Sequence, residues 1–367
     1  MTFNDIIGQG PTKQLLRGII EGGRMPHALL LLAPQGSGGL PLALAYAQYV
    51  LCDNRANGES CGRCANCIKA EKMIHPDIHY SYPTIGPKTV ATHVLKEWRA
   101  AIAENPYLNV NQWLEKLDAE NKQGNIPVAE CTEIVKKLSL KTYEADYKIL
   151  IMWLPEYLGK EGNRLLKMIE EPPDQTLFIL VAENQDLILN TILSRCQLVK
   201  AAPLTYEDLK NGLILRGVTS GEAEAIAPLA DGDFNAAVML ARQSENDNAH
   251  RFLEWMRKCY GGNGLDLVNW TEDFSKMGRE KQKLFLRYGL HFLRELLILT
   301  TTGNENLRLR GAELATALKM KAIMSFEKIE PMAQLFDECS YHIERNANPK
   351  VLFLDASIRM NKILRNG

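Results

Sequence analysis

The chain has 367 residues, of which 46% are hydrophobic and 24% charged, enough to bury substantial cores in two or three domains. Forty-three Lys and Arg stand against 44 Asp and Glu, a net charge of −1, which argues against a strongly basic stand-alone nucleic-acid binder and makes any DNA contact local or shared with partners. No apolar run approaches the roughly 20 residues that span a bilayer, and the N-terminus lacks a signal peptide's basic start and apolar core, so the expectation is no membrane association and a cytoplasmic location.

In chain order, a helix is expected over Thr12 to Glu21, stopped by Gly22 and Gly23. Five short apolar runs read as strands: Ala28 to Leu32, Asp77 to Tyr82, Ile149 to Trp153, Leu177 to Ala182 and Gln197 to Lys200. Helical patterns separate them, which is how a parallel sheet covered by helices looks in sequence. Residues 1–202 are therefore expected to form an α/β domain. Within it, 85–124 is long and polar around Trp98 and Trp113 and reads as an insertion of helices and loops without an assigned function. Leu165 to Glu171 reads as helix until Pro172 and Pro173 end it. Beyond Pro203 the strand signals stop. Residues 203–246 read as a small helical lid, with Thr205 as an N-cap candidate, and 247–367 as a C-terminal helical bundle. Its apolar positions recur at Leu284, Tyr288, Phe292 and Leu296, and again at Val351, Leu354 and Ile358.

Four of the eight cysteines, Cys52, Cys61, Cys64 and Cys67, lie within sixteen residues. In a reducing cytosol such a group favours metal binding over disulfides. Four thiolates on a tight loop match tetrahedral zinc, and with every position filled by protein the metal is structural; an iron–sulfur cluster is the chemical rival. The zinc module spans 52–75. Cys131, Cys196, Cys259 and Cys339 have no companion at ligand spacing and read as buried thiols.

Between the first strand and an apolar helical stretch stands Ala33-Pro-Gln-Gly36-Ser-Gly38-Gly39-Leu40, in the strand–loop–helix context of a phosphate-binding loop. A working loop carries Lys and Ser or Thr where Gly39 and Leu40 stand here. Gly36, Gly38 and Gly39 thus read as a nucleotide-loop remnant making a tight turn. The strand from Ile149 to Trp153 should end in acidic residues for Mg²⁺, yet it runs into Leu154-Pro155-Glu156, where Glu156 reads as a solvated turn residue.

Leu165-Leu-Lys-Met-Ile-Glu-Glu-Pro-Pro173 followed by Thr191-Ile-Leu-Ser194-Arg195-Cys196 resembles the core of bacterial clamp-loader subunits of the AAA+ class, and the four cysteines and His75-Pro76-Asp77 fit the same pattern. The resemblance covers the α/β domain closely and the C-terminal helices more loosely. It implies a P-loop NTPase-like fold, and the missing ATPase residues resemble the family's non-hydrolysing subunits. It further implies that Arg195 serves as an arginine finger reaching ATP held by a neighbouring subunit, with Ser194 and Cys196 supporting its loop. Asn184 would stand near a γ-phosphate sensor, and Asn235, within Asp231-Gly-Asp-Phe-Asn235, would replace the Arg of a second sensor. Implied partners are the gamma or tau and delta subunits, the sliding clamp, and primed DNA through the assembly. Two other readings stay open: an active ATPase subunit of gamma or tau type, and a zinc-dependent nucleic-acid-binding module.

Overall fold

The computed structural model describes residues 1–23, 25–118, 123–242, 246–303, 307–309 and 311–365. Positions 119–122 of the expected insertion, 243–245 of the expected lid, and 304–306, 310 and 366–367 of the expected bundle lie outside them. Two compact units emerge. One comprises Met1–Gly212 with Asp231–Asn235, the other Leu213–Ala230 with Ala236–Gly367.

The first unit is built on strands β1 (Ala28–Leu32), β2 (Ile78–Ser81), β3 (Lys148–Trp153), β4 (Thr176–Ala182) and β5 (Gln197–Lys200). Each lies within one residue of its expected bounds. All pair in parallel in the order β2-β3-β4-β1-β5, with Leu29 opposite Ile179 on one side and Gln197 on the other. Parallel neighbours require crossovers. After α1 (Gly10–Glu21), which precedes the sheet, helices supply them: α2 (Gly39–Leu51), α3 (Ala65–Glu71), α4 (Leu95–Glu104), α5 (Val110–Glu115), α6 (Val128–Leu138), α7 (Leu166–Glu170) and α8 (Asn190–Leu193); α9 (Tyr206–Leu215) follows the last strand and ends just past the unit boundary.

Because helices cover both faces, the strands carry apolar residues on both. Leu29, Leu31, Ile149, Ile151 and Ile179 join one core with α2, while Leu30, Leu150, Met152, Phe178 and Leu180 join a second with Ile134, Leu138 and Ile169. This is the P-loop NTPase-like α/β arrangement that the sequence leads one to expect, with the glycine loop between β1 and α2.

The insertion is helical, as expected, but far from a polar appendage. Trp98 of α4 and Trp113 of α5 are fully buried; Trp98 stacks on Tyr82 at 4.0 Å, approaches Trp153 at 5.2 Å, and meets Trp113 edge-on at 5.0 Å. The Trp113 indole donates to the Pro83 carbonyl at 2.7 Å, so its one polar atom is satisfied inside the cluster. These contacts fix the insertion to the carboxyl ends of β2 and β3.

The second unit is helical: α10 (Ser220–Ala230), α11 (Phe234–Arg242, whose first two residues belong to the first unit), α12 (Asn246–Gly261), α13 (Gly264–Ser275), α14 (Arg279–Thr302), α15 (Gly311–Met320), α16 (Phe326–Glu344) and α17 (Pro349–Arg365). Its core is aromatic, with Trp255 stacked on Trp270 and Trp270 on Phe274. Gly289 lets α14 approach closely, since a Cβ there would sit 2.7 Å from Phe252 and 2.8 Å from Phe336. Leu284, Tyr288, Phe292 and Leu296 are buried as their spacing predicts. The second expected stripe is corrected: Val351 and Ile358 are 66% and 45% exposed, because Phe353, Ala356, Met360 and Leu364 form the stripe of α17 that faces the core. No helix among the described residues is long and apolar enough to cross a membrane.

Candidate functional site

The four-cysteine group assembles from the end of α2, a hairpin and the start of α3. Asn57 and Gly58 both adopt positive φ, closing a tight turn in which Ala56 and Glu59 pair antiparallel. All four sulfurs lie within 4.8 Å of one another, and Cys61 and Cys67 are 3.9 Å apart, close to the ~3.8 Å edge of a tetrahedron with metal–sulfur bonds of about 2.3 Å. Backbone amides of Cys61, Cys64 and Cys67 donate to the sulfurs of Cys52, Cys61 and Cys64 at 3.2, 3.4 and 3.4 Å. Such donors favour thiolates; the amides of Arg63 and Cys64 bring the Cys61 thiol down to about 6. This donor set can hold one metal ion.

His75-Pro76-Asp77 anchors the module to the sheet. The buried Asp77 carboxylate, one residue before β2, accepts from the amides of Tyr143, Glu144 and Ala145 at 2.6, 2.9 and 2.9 Å and thereby ties β2 to the loop before β3. Burial opposes the charge, but these three amides outweigh it and hold the carboxyl below its ordinary range. His75 Nδ1 accepts from the Asp77 amide, and its Nε2 meets Asn66 Oδ1 at 3.1 Å, while Asn66 donates to the Leu51 carbonyl at the end of α2.

The glycine loop is closed on itself. Ser37 donates through its amide and hydroxyl to the Pro34 carbonyl, Gln9 Nε2 donates to the Ser37 carbonyl, and the Phe234 amide donates to Gly36. Gly36 has φ 69°, and a Cβ there would collide with Asp233 at 1.8 Å; Gly38 has φ 101° and lies under Tyr107. At Gly39, the lysine position of a working loop, a Cβ would sit 2.7 Å from the Ala33 Cβ and 3.1 Å from Val181. The space above the loop, bounded by Gly36, Gly38, Leu40, Tyr107, Trp153 and Glu183, is a cavity of about 20 Å³, room for roughly one water molecule.

At the end of β3, Trp153 lines that cavity and Leu154 takes the left-handed conformation at φ 58°. Glu156 is not the solvated turn residue that its position suggests. Its Oε1 accepts from the amides of Glu183 and Asn184 at 2.6 and 2.8 Å and its Oε2 is buried, so it ties the ends of β3 and β4 together, and burial pushes its carboxyl above the ordinary range. Asn184 caps the next turn, its side chain accepting from the Asp186 amide.

Ser194-Arg195-Cys196 follows α8 directly. The Arg195 guanidinium, 31% exposed, donates to the Thr191 carbonyl at 2.6 Å and Ser194 Oγ at 3.2 Å, and pairs with Glu170 at the end of α7. Cys196 packs against the second core of the sheet, and burial pushes its thiol up to about 11, so it is an inert thiol at neutral pH. Asn235 is buried and accepts from Asn105 at 2.7 Å. The loop remnant and Asn235 are thus close together, while the cysteine module and Arg195 are separate sites. Sequence reasoning passed over Tyr107 and Trp153; their only signal is an aromatic residue at the edge of a motif or beside a proline, which is common in any core.

A family model described as DNA polymerase III, delta subunit matches residues 8–205. The delta' subunit of DNA polymerase III from Escherichia coli is 29% identical over 245 residues, 66% of this chain and 62% of its own; that of Bacillus subtilis is 27% identical over 232 residues, 63% and 59%. The tau subunit of Bacillus subtilis is 22% identical along 98% of this chain and 61% of its own length. The chain therefore spans about three fifths of the curated relatives it matches.

The Asp77 clamp yields a pH-dependent prediction. Because the folded carboxyl lies below its unfolded value of about 3.8, its contribution is present at neutral pH and is lost as pH falls through the folded value. Asp77→Asn should cost ~2 kcal/mol at pH 7 in urea unfolding, with the difference from the native chain shrinking below about pH 4.

Proposed function

From the premise that the chain belongs to the DNA polymerase III delta-subunit family, we propose that it is a clamp-loader subunit of the delta-prime type, which hydrolyses no ATP itself and lends Arg195 to a neighbouring ATPase subunit. The observation that carries this reading is Gly39 with Leu40 where Lys and Ser or Thr would hold phosphates and Mg²⁺. Gly39 is also packed so closely that a side chain could enter only by moving Ala33. With Trp153-Leu-Pro155 at the end of β3 in place of acidic residues, both halves of a hydrolytic site are missing.

Arg195 suits donation across an interface. Its guanidinium is always charged, forks in a plane, and is about one-third exposed on the turn after α8, where Thr191 and Ser194 hold one edge. Glu170 now satisfies the charge; a phosphate offered by a neighbour would compete for it as a stronger, bidentate partner. In this account 1–202 is the AAA+ domain, 203–246 a lid and 247–367 a collar that joins gamma or tau and delta subunits, and the assembly loads a sliding clamp on primed DNA. The alignment with a tau subunit along nearly the whole chain favours a second reading, an active ATPase of that type, which would require turnover by this chain alone.

The metal is read as structural Zn²⁺, because four thiolates leave no position for a substrate or water. Atomic emission should find one zinc per chain, and Cys64→Ser or chelation should remove it and lower the Tm; full stability after removal would leave the module without a folding role.

In a reconstituted loader, Arg195→Ala should reduce ATP turnover at one site by roughly a thousandfold at unchanged assembly, with Arg195→Lys recovering little. Unchanged turnover at every site would reduce Arg195 to a residue of the α8 turn.

A further inference from the structure

The insertion has no part in the functional reading so far, yet it delivers residues 105–109 directly over the loop remnant. We infer that this segment is an internal plug that occupies the place of a nucleotide and bridges the glycine loop to the 231–235 turn. The inference deepens the clamp-loader reading by assuming that the loop descends from a nucleotide site.

The contacts of Tyr107 and Asn105 carry it. Tyr107 is 5% exposed, and its ring edge would meet a Cβ on Gly38 at 3.2 Å, so ring and loop are in contact at the N-terminus of α2, where a phosphate would otherwise be held. Its hydroxyl accepts from the Ile7 amide at 2.9 Å, which gives the one polar atom of the ring a partner. The ring also meets Phe234 edge-on at 5.1 Å, and the Phe234 amide donates to Gly36. Asn105, two residues earlier, donates to Asn235 at 2.7 Å and accepts from the Tyr107 amide at 3.2 Å. A ligand bridging loop and turn would have to make the same two connections.

The segment is rigidly presented. Upstream it leaves α4, whose Trp98 lies in the Tyr82–Trp153 cluster; downstream Leu108 is 6% exposed in the same core, and Asn109 caps α5 by accepting from the Gln112 amide at 3.0 Å. Between the segment, the glycine loop and Trp153 lies a cavity of about 20 Å³. The plug thus explains why the loop can lose its lysine and stay ordered: the aromatic ring fills the space and the turn at 231–235 closes it, with no anion needed.

Two measurements on the full chain decide the matter. Tyr107→Gly should lower the Tm by roughly 5–15 °C, and p-cresol, which restores the missing ring, should raise the variant's Tm while leaving the native chain unmoved. In hydrogen exchange without nucleotide, the amides of residues 36–40 should be protected in the native chain and in Tyr107→Phe, and at least about tenfold faster in Tyr107→Gly. An unaltered Tm, no response to p-cresol in a folded variant, or native loop amides exchanging at the rate of a free peptide overturns the plug. If Tyr107→Gly does not fold, the native and Tyr107→Phe exchange still decides it. Any of these failures leaves the clamp-loader reading standing, since that reading rests on Gly39, Leu40 and Arg195; loss of the Arg195 effect would leave the plug standing.

Discussion

The stack of Trp98 on Tyr82 is the contact on which the site depends. Parallel strands leave a crevice beyond their carboxyl ends, and in α/β proteins that crevice is where ligands bind. Here β2 leads into Tyr82 and β3 ends in Trp153, and both aromatic rings face the insertion rather than solvent. Three large rings with Trp113 make burial of α4 and α5 strongly favourable, and once those helices are docked the chain between them has nowhere to run but across the glycine loop. The crevice is filled as a consequence of how the insertion is anchored.

A second constraint follows from the missing charges. A loop that cradles phosphate presents amides to an anion; without one, those amides and the neighbouring glycines must be satisfied or covered. Here the Ser37 amide donates to the Pro34 carbonyl, Gln9 Nε2 and the Phe234 amide donate to the carbonyls of Ser37 and Gly36, and Tyr107 covers Gly38. Glu156 performs the analogous service at the end of β3, bracing the backbone at Glu183 and Asn184. In the proposed function the working group is Arg195 on the turn after α8 and not a residue of this crevice.

Much of the framework was legible because its signals are local. Five β-rich runs between helix-like stretches defined the strands to within a residue, and four cysteines at short spacing can meet only if the intervening loop turns tightly, which Asn57 and Gly58 allow. The glycine loop was readable as a turn for the same reason. What escaped was tertiary. Nothing in the spacing of 85–124 says that Trp98 and Trp113 point into a common cluster with Trp153, and nothing near Tyr107 says which loop it covers. In α17, Val351, Leu354 and Ile358 fit a helical period, but so do Phe353, Ala356, Met360 and Leu364; periodicity names a stripe without saying which stripe meets the aromatic core.

The central claim is that this chain holds no nucleotide of its own. Titration calorimetry of Mg-ATP into the purified, metal-loaded protein tests it most directly. The account predicts no saturable heat up to about 1 mM ligand, whereas one site per chain with a dissociation constant near 1 μM, some 8 kcal/mol of binding, would contradict it.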